Sequence, residues 1–260
     1  AVFILSQKDS GKALPILVVV LMGFGVFTRG EEKTKNNENE LKEAALNALL
    51  MMEGENVIPV LEKILNSKDN PKLREKAVFI LSQKDSGKAL PILVRIAKSD
   101  PDLNVREKAV FWLGQMNDEK AFDALLDIYN KTKEQKLKEK LIFSFSQHKS
   151  EKAFKKLVEI ARKDGNEKSR EKAVFWISQS GNKEAAGILQ KIADKDASQK
   201  IREKAVFGLS QLPEQAGVPY LIKIAKSHGD IEIRKKAVFW LGQCNHPDAV
   251  KVLEEIANGK

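Results

Sequence analysis

The sequence predicts an all-α fold: an α-solenoid (superhelix) of helical-hairpin repeats, each 32 residues long. The first observation behind this prediction is a triplet of the type Ala-Val-Phe that returns every 32 residues without an insertion. It begins at Ala77, Ala109, Leu141, Ala173, Ala205 and Ala237. A more divergent copy begins at Ala45, so the repeats cover about residues 41–260. A fixed period of this length is typical of repeat proteins, in which each repeat is one small supersecondary unit.

The second observation is a pair of apolar columns with the same period. Leucine and isoleucine, three residues apart, form one apolar stripe at helical spacing in each repeat. The leucines are Leu93, Leu125, Leu157, Leu189, Leu221 and Leu253, and the isoleucines are Ile96, Ile128, Ile160, Ile192, Ile224 and Ile256. Glycine, proline and tyrosine are sparse, which disfavours an all-β fold.

Polar residues at fixed offsets predict where the helices begin. One column precedes the Ala-Val-Phe triplet by seven residues and consists mostly of residues that cap helix N-termini. It comprises Asn70, Asp102, Glu134, Asn166, Ser198 and Asp230, of which only Glu134 departs from the pattern. The helix that follows, here called the AVF helix, is expected to end near Gln83 and its equivalents. A second polar set, Ser86, Asp118, Ser150 and Asn182, is expected to open the other helix, so each repeat has two helices of about 12 to 14 residues.

The stretch from Asp102 to Gly114 (DLNVREKAVFWLG) has a capped start followed by Val-Arg, Ala and Leu-Gly at fixed offsets. It resembles the short class of HEAT repeats also found in phycobilisome lyases, and it recurs in register over 41–260. The C-terminal stretch 202–243, from REKAVF to WLGQ, looks like the repeat tails of bacterial HEAT proteins without an assigned chemistry. The resemblance implies an interaction scaffold with no catalytic residues. It also implies that the AVF helices line the concave face.

Two complete columns on the AVF helices are the candidate partner-binding residues. Gln amides both donate and accept hydrogen bonds, and Phe rings beside them offer apolar contact, so together they could form a ladder for a protein or peptide segment. The phenylalanines are Phe79, Phe111, Phe143, Phe175, Phe207 and Phe239, and the glutamines are Gln83, Gln115, Gln147, Gln179, Gln211 and Gln243. This hypothesis requires that Phe111, Phe143 and Phe175 are partly exposed in one row.

A purely structural interpretation of the same columns stays open. The Phe rings could pack between hairpins, and the Gln side chains could bond the last carbonyls of their own helices. Trp112, Trp176 and Trp240 alternate with smaller residues and could be either core or rim aromatics. An Arg column is expected to bridge to acidic turn residues, because a guanidinium fork suits such pairing. It consists of Arg74, Arg106, Lys138, Arg170, Arg202 and Arg234.

Nucleic-acid binding through basic residues is the alternative function, because the net charge is +9. A lysine column on the AVF helices, however, stands beside a glutamate column, so the charges nearly cancel and nucleic acid is disfavoured as a partner. The lysines are Lys76, Lys108, Lys140, Lys172, Lys204 and Lys236, and the glutamates are Glu75, Glu107, Glu139, Glu171 and Glu203. A local basic patch of Lys152, Lys155, Lys156 and Arg162 is expected to be a solvated face.

The sequence carries no recognisable catalytic, cofactor or metal motif. HEAT-type deoxyhypusine hydroxylases hold iron with His-Glu pairs, but none of His148, His228 and His246 is followed by Glu. We expect these histidines in solvated turns. A lyase or chaperone role, as in phycobilisome lyases, is a weaker alternative that rests on the resemblance alone.

The N-terminal region breaks the repeat. Residues 1–18 are identical to 77–94 but out of phase, so they are interpreted as a duplicated repeat fragment, native or chimeric. Residues 19–40 are expected to form an apolar segment followed by a polar linker. The apolar run 13–27 would contact a membrane only if it is an anchor or an export signal. The single Cys244 allows no internal disulfide and leaves both a cytoplasmic and an exported location open. A monomer is expected.

Overall fold

The structure is a computed structural model that describes residues 31–54, 56–67, 70–84, 86–116 and 118–259. The chain divides into two compact units between Lys131 and Thr132. All regular elements in the described ranges are helices. The predicted class, an all-α α-solenoid of 32-residue helical-hairpin repeats, is confirmed.

The first unit contains six described helices. They are α1 (Glu31–Met51), α2 (Val57–Asn66), α3 (Pro71–Ser82), α4 (Ser86–Ser99), α5 (Leu103–Gln115) and α6 (Glu119–Lys131). The AVF helices α3 and α5 pack on each other, and α1 packs on α3 in the same layer. The other layer consists of α2, α4 and α6. Each AVF helix also packs on the helix that precedes it, so α2 with α3 and α4 with α5 form hairpins.

The second unit repeats this two-layer arrangement. Its helices are α7 (Gln135–Gln147), α8 (Glu151–Lys163), α9 (Glu167–Gln179), α10 (Ala185–Lys195), α11 (Gln199–Ser210), α12 (Val218–Ser227), α13 (Ile231–Gly242) and α14 (Pro247–Ala257), with a short 3-10 turn at Pro213–Gln215. The AVF helices α7, α9, α11 and α13 pack side by side. The helices α8, α10, α12 and α14 form the second layer.

The core of each unit lies between the two layers. The first residue of every AVF triplet is completely buried, and in five of six repeats it is alanine, which lets the paired helices approach closely. The leucine and isoleucine columns are buried too, except for Leu253 and Ile256. Those two are part-exposed because no described helix follows α14. The apolar stripe that the sequence predicts is therefore the inner face of the second layer.

The cap column opens the AVF helices as predicted. Asn166, for example, accepts hydrogen bonds from the backbone N–H groups of Lys168 and Ser169, at 2.9 and 3.3 Å. Asn70, Asp102, Ser198 and Asp230 cap their helices in the same way. Glu134 occupies the same position without a side-chain cap hydrogen bond, because its longer side chain departs from the short acceptors that suit this site.

Three arginines of the Arg column, Arg74, Arg170 and Arg202, link consecutive repeats through acidic turn residues, as expected, whereas Arg234 donates to the backbone carbonyl of Ala225. In the first unit Arg74 donates two hydrogen bonds to the carboxylate of Asp100, at 2.9 and 3.1 Å, and both side chains are almost completely buried. In the second unit Arg170 pairs with Asp196 in the same bidentate manner, and Arg202 pairs with Asp230 at 2.9 Å. In each pair the aspartate belongs to the next repeat. It lies in the turn between the first helix of that repeat and its AVF helix.

The predicted polar linker is corrected by the structure. Helix α1 begins at Glu31, so the polar residues 31–40 are the first half of a helix rather than a linker. They carry no glycine or proline and run directly into the strong helix formers of 41–51. Asn39 already contacts the next repeat, since its side-chain oxygen accepts a hydrogen bond from Asn70 at 3.3 Å. The predicted duplicated fragment 1–18 and the apolar run 13–27 lie outside the described residues. Among the described helices, none combines the length and apolar character needed to cross a membrane.

The cap column generates a first prediction. Replacement of Asn166 by alanine should lower the free energy of unfolding by about 1 kcal/mol, because two backbone N–H groups lose their acceptor. Glu134→Ala, at the same position one repeat earlier, is the matched control and should change the free energy of unfolding less. Urea unfolding followed by circular dichroism measures both. An equal loss in the two variants would show that the cap bond has no effect on stability.

The buried Arg74–Asp100 pair generates a second prediction. Asp100→Ala should destabilise the protein by about 3 kcal/mol, because it leaves a buried guanidinium without its counter-charge. The exposed pair of Arg95 and Glu62, at 3.1 Å, links consecutive repeats of the same unit and provides the control. Glu62→Ala should cost less than about 1 kcal/mol. Thermal and urea unfolding measure the loss of unfolding free energy in both variants. Losses of similar size would contradict this explanation.

Candidate partner-binding face

Each AVF helix presents one stripe of four side chains to solvent. On α9 the stripe is Lys168, Lys172, Phe175 and Gln179, at positions i, i+4, i+7 and i+11, and all four are exposed. This spacing places residues on one side of a helix. The other AVF helices repeat the stripe at intervals of 32 residues. We call this set of four the exposed stripe.

The first residue of the exposed stripe was missed by the sequence analysis. It forms an additional basic column, which comprises Lys72, Lys136, Lys168 and Lys200, with Asn104 and Glu232 in the remaining repeats. The signal was present, because these residues precede the recognised lysine column by one helical turn. The AVF helices of the second unit therefore carry more exposed positive charge than the single lysine column suggests.

All six phenylalanines of the Phe column are partly accessible to solvent. Phe175 and Phe239 are 44% and 55% exposed, and Phe79, Phe111, Phe143 and Phe207 are half-buried. The expected partial exposure is therefore observed. The role of this column in binding a partner stays a prediction.

All six rings of the Phe column contact one of three tryptophans, and each of these aromatic clusters spans two consecutive repeats within the described residues. In the second unit Trp176 lies between Phe143 and Phe175, with ring centroids 5.2 and 4.9 Å apart. Trp240 lies in the same way between Phe207 and Phe239, at 5.0 and 4.9 Å. In the first unit Trp112 contacts Phe79 and Phe111 at 5.4 and 5.0 Å. The pair within one repeat is edge-to-face in all three clusters.

The three tryptophans are half-buried, so they are not residues of the core. They bridge Phe rings of consecutive repeats at the surface of the AVF layer. The residues that replace tryptophan in the alternate repeats are buried: Ile80, Ser144 and Gly208. The alternation of tryptophan with smaller residues therefore decides which pairs of Phe rings are bridged and which are not.

The Gln column is exposed in all six repeats. In four repeats a serine precedes the glutamine, and the glutamine reaches the helix carbonyls only through that serine. There the Gln amide donates to the serine hydroxyl, as in Gln179 to Ser178 at 3.3 Å, and the serine hydroxyl donates to the Phe carbonyl, as in Ser178 to Phe175 at 2.7 Å. Gln115 and Gln243 follow glycine instead of serine.

Lysine and glutamate side chains of neighbouring AVF helices pair across the layer. In the second unit Glu171 binds Lys200 at 2.7 Å and Lys204 at 3.2 Å, and Glu203 binds Lys236 at 3.3 Å. The hydrogen bond from Lys200 and the proximity of Lys204 lower the pKa of Glu171, so this carboxylate remains ionised at neutral pH. The expected interleaving of charges is therefore present at α9, α11 and α13.

A slot opens between Phe175 and Phe207, where no indole separates the rings. It encloses about 220 Å³, has Gly208 and Ser178 at its base, and has Lys172 and Lys204 at its rim. Gly208 occupies the column that holds Trp176 one repeat earlier and Trp240 one repeat later. A Cβ atom at Gly208 would lie 3.2 Å from the Cβ of Ser178, so the base of the slot is closely packed.

Each of the three histidines contacts a residue two positions later in the chain. His148 is buried rather than solvated, which corrects the expectation: its Nδ1 lies 3.0 Å from the hydroxyl of Ser150, the cap of the next helix. His228 and His246 each accept a hydrogen bond from a backbone N–H group two residues ahead. Among the described residues, no three His, Cys, Asp or Glu side chains converge as metal ligands.

Cys244 and two lysines of the basic patch make contacts within their own helices or helix ends. Cys244 donates its thiol to the carbonyls of Trp240 and Leu241, and burial raises the pKa of this thiol, which disfavours the nucleophilic thiolate. In the basic patch of α8, Lys155 pairs with Glu151 at 2.6 Å, and Lys156 pairs with Glu159 at 3.1 Å.

The aromatic clusters generate a third prediction, for a double-mutant cycle. Phe143→Ala and Trp176→Ala should show a coupling energy of about 0.5–1.5 kcal/mol, because their rings are in contact. The control cycle combines Trp176→Ala with Phe207→Ala, whose ring contacts Trp240 instead. Its coupling should be near zero. Urea unfolding of the single and double variants measures both couplings, and equal couplings would exclude a specific ring contact.

Comparison with solved structures finds several chains with a similar fold at low sequence identity. Human deoxyhypusine hydroxylase matches over 98% of this chain and 91% of its own, with 18% identity and a TM-score of 0.43. The YibA protein of E. coli matches over 89% of this chain and 99% of its own, with 16% identity and a TM-score of 0.48. The phycocyanin lyase complex of CpcE and CpcF from Nostoc sp. matches over 78% of this chain and 84% of the matched chain, with 20% identity and a TM-score of 0.43. Among curated proteins, none matches this chain in sequence.

The repeat itself gives the family. The family model of HEAT repeats matches residues 58–146 and 154–227, which together make up more than half of the chain. The matched ranges contain the AVF helices α3, α5, α9 and α11 with their capping residues and buried alanines, and they contain the pairs Arg74–Asp100 and Arg170–Asp196. This protein belongs to the HEAT-repeat family.

Proposed function

We propose that this protein is a non-catalytic protein–protein interaction scaffold that binds a segment of a partner protein on the face formed by its AVF helices. The family resemblance makes this face the concave one. Folds of HEAT repeats are typical of interaction scaffolds. The observation that carries the proposal is the exposed stripe, because large aromatic side chains remain accessible at the same position in every repeat.

The chemistry of the exposed stripe supports a peptide segment as the ligand. Partly exposed Phe rings provide apolar contact area, and aromatic residues are common among the side chains that dominate binding energy at interfaces. The exposed Gln amides of the same stripes can both donate to and accept from a peptide backbone. Gln115 and Gln243, which follow glycine, lack the serine partner that engages the amide in four other repeats.

Nucleic-acid binding remains the second candidate. It is favoured by the two exposed lysine columns and the net charge of +9. It is opposed by the pairing of Lys200, Lys204 and Lys236 with glutamates, since a phosphate that approaches these lysines also approaches Glu171 and Glu203. A lyase or chaperone role for a tetrapyrrole is supported only by the resemblance to phycobilisome lyases.

The proposal generates a fourth prediction, for affinity capture from an extract of cells that express the protein. The triple variant Phe111→Ala, Phe143→Ala and Phe175→Ala should retain about a tenth or less of the protein partner that the unmodified chain captures, because it removes three apolar contacts. Circular dichroism and thermal unfolding establish that the variant is folded.

The matched control is a triple alanine variant of Asp123, Lys191 and Lys251, which are exposed on the other helix layer. It should capture the partner normally. Captured protein that survives nuclease treatment supports the proposal. Capture of nucleic acid alone, with a steep dependence on salt and no effect of the Phe changes, would contradict it and favour the second candidate.

A further inference from the structure

We infer that the slot between Phe175 and Phe207 is the specificity pocket of the second unit, and that it binds an apolar side chain of an acidic peptide segment. This inference rests on the proposed function and specifies its partner. Three observations carry it: an unfilled aromatic gap, a base whose hydroxyl is already hydrogen-bonded, and two lysines beside the gap that make no ion pair within the described residues.

The gap exists because the alternation of tryptophan leaves one pair of Phe rings unbridged in this unit. Indole rings fill the space between Phe143 and Phe175 and between Phe207 and Phe239. Between Phe175 and Phe207 the corresponding residue is Gly208, and the space of about 220 Å³ is open. A partner side chain that enters it would contact two aromatic rings, as each tryptophan does in the filled interfaces.

The base of the slot favours an apolar ligand. The only hydroxyl there, that of Ser178, already donates to the carbonyl of Phe175 and accepts from Gln179. Val174 and Gly208 contribute no side-chain polar atom. A polar side chain placed in the slot would lose its bonds to water without gaining new ones, whereas an aliphatic or aromatic side chain would gain burial.

The charges beside the slot select acidic flanking residues. Lys172 lies at the rim of the slot. Lys168 lies one helical turn before it on α9, and both side chains are exposed. Neither makes an ion pair within the described part of the chain, unlike Lys200 and Lys204 on α11. Carboxylates of a partner would therefore find their counter-charges on α9.

The spacing of these lysines suits an extended peptide. Along α9, Lys168 and Lys172 are about 6 Å apart and Lys172 and Phe175 are about 4.5 Å apart, because each residue of an α-helix adds about 1.5 Å. Alternate residues of an extended strand are about 6.6 Å apart and point to the same side. An extended peptide could therefore place an apolar residue in the slot beside Phe175. Asp or Glu two and four residues away in the same direction would then lie near Lys172 and Lys168.

A nucleic acid fits this surface less well than a peptide does. It carries a charge at every nucleotide, so phosphates near Lys172 would also approach the ionised Glu171 on the rim. A peptide carries charge only where its sequence places it, and it can present an uncharged residue to Glu171.

The test begins with selection of random short peptides on the complete chain by phage display. We expect the enriched sequences to combine a large apolar residue with acidic residues at alternate positions. Affinities of one labelled enriched peptide are then measured by fluorescence anisotropy for the unmodified protein and three variants. Enrichment without acidic residues would overturn the inference.

The first variant, Gly208→Trp, fills the slot and should weaken peptide binding by at least about tenfold. The residues around Gly208, Ser178 and Leu189, have serine and leucine as their equivalents one repeat earlier, where Trp176 is present. Should this variant fail to fold, Phe175→Ala, which removes one wall, tests the slot and should weaken binding to a similar degree.

The second variant combines Lys168→Glu with Lys172→Glu and should also weaken binding by at least about tenfold. The matched control combines Lys191→Glu with Lys195→Glu, two exposed lysines four residues apart on α10. It makes the same change of charge in the same unit and should leave the affinity nearly unchanged.

Two outcomes separate this inference from the proposed function. If the slot and lysine variants bind the peptide normally while the triple Phe variant loses its captured partner, the inference is wrong and the proposed function survives. If no peptide is enriched, and a single-stranded oligonucleotide binds with an affinity that the Lys168 and Lys172 changes reduce, both are overturned in favour of nucleic-acid binding.

Discussion

A single helical hairpin of this protein leaves an apolar face that only the neighbouring hairpins can cover. The buried alanine column and the leucine and isoleucine columns make up that face in each repeat. Because one residue turns a helix by about 100°, a single insertion would rotate the stripe away from its neighbours. This constraint explains why the period of 32 residues is kept without an insertion from Ala77 to Ala237. The caps and the Arg–Asp pairs depend on the same register.

The Arg–Asp pairs show how the register becomes a specific contact between repeats. Arg74 reaches Asp100, and Arg170 reaches Asp196, so each pair spans 26 residues. A buried pair of this kind is a weak source of net stability, but the loss of one partner is costly. The pairs therefore penalise any shift of one hairpin relative to the next. Regular stacking in turn holds the AVF helices side by side with their exposed stripes aligned.

Perfect repetition would make all binding positions of such a face equivalent. The tryptophan alternation removes that equivalence, because indoles bridge some pairs of Phe rings and leave the pair of Phe175 and Phe207 open. The lysine–glutamate pairing is uneven as well, since Lys168 and Lys172 make no ion pair with any described residue, whereas Lys200 and Lys204 share Glu171. Specificity in this protein is thus expected where the repeat is broken.

The sequence by itself determined the fold class, the positions of the helices, the caps and the buried columns, whereas the partial exposure of the Phe column was one of two open interpretations. The features that it determined follow from periodicity within a repeat, which is a local property of the chain. Only the tertiary structure decided that each Trp joins the Phe of its own repeat to the Phe of the preceding one, that Gly208 leaves a slot, and that His148 is buried. It also decided that residues 31–40 belong to α1 and that Asn39 contacts Asn70. Such features depend on how neighbouring helices stack, and the distance between side chains some 30 residues apart cannot be read from the spacing within one helix.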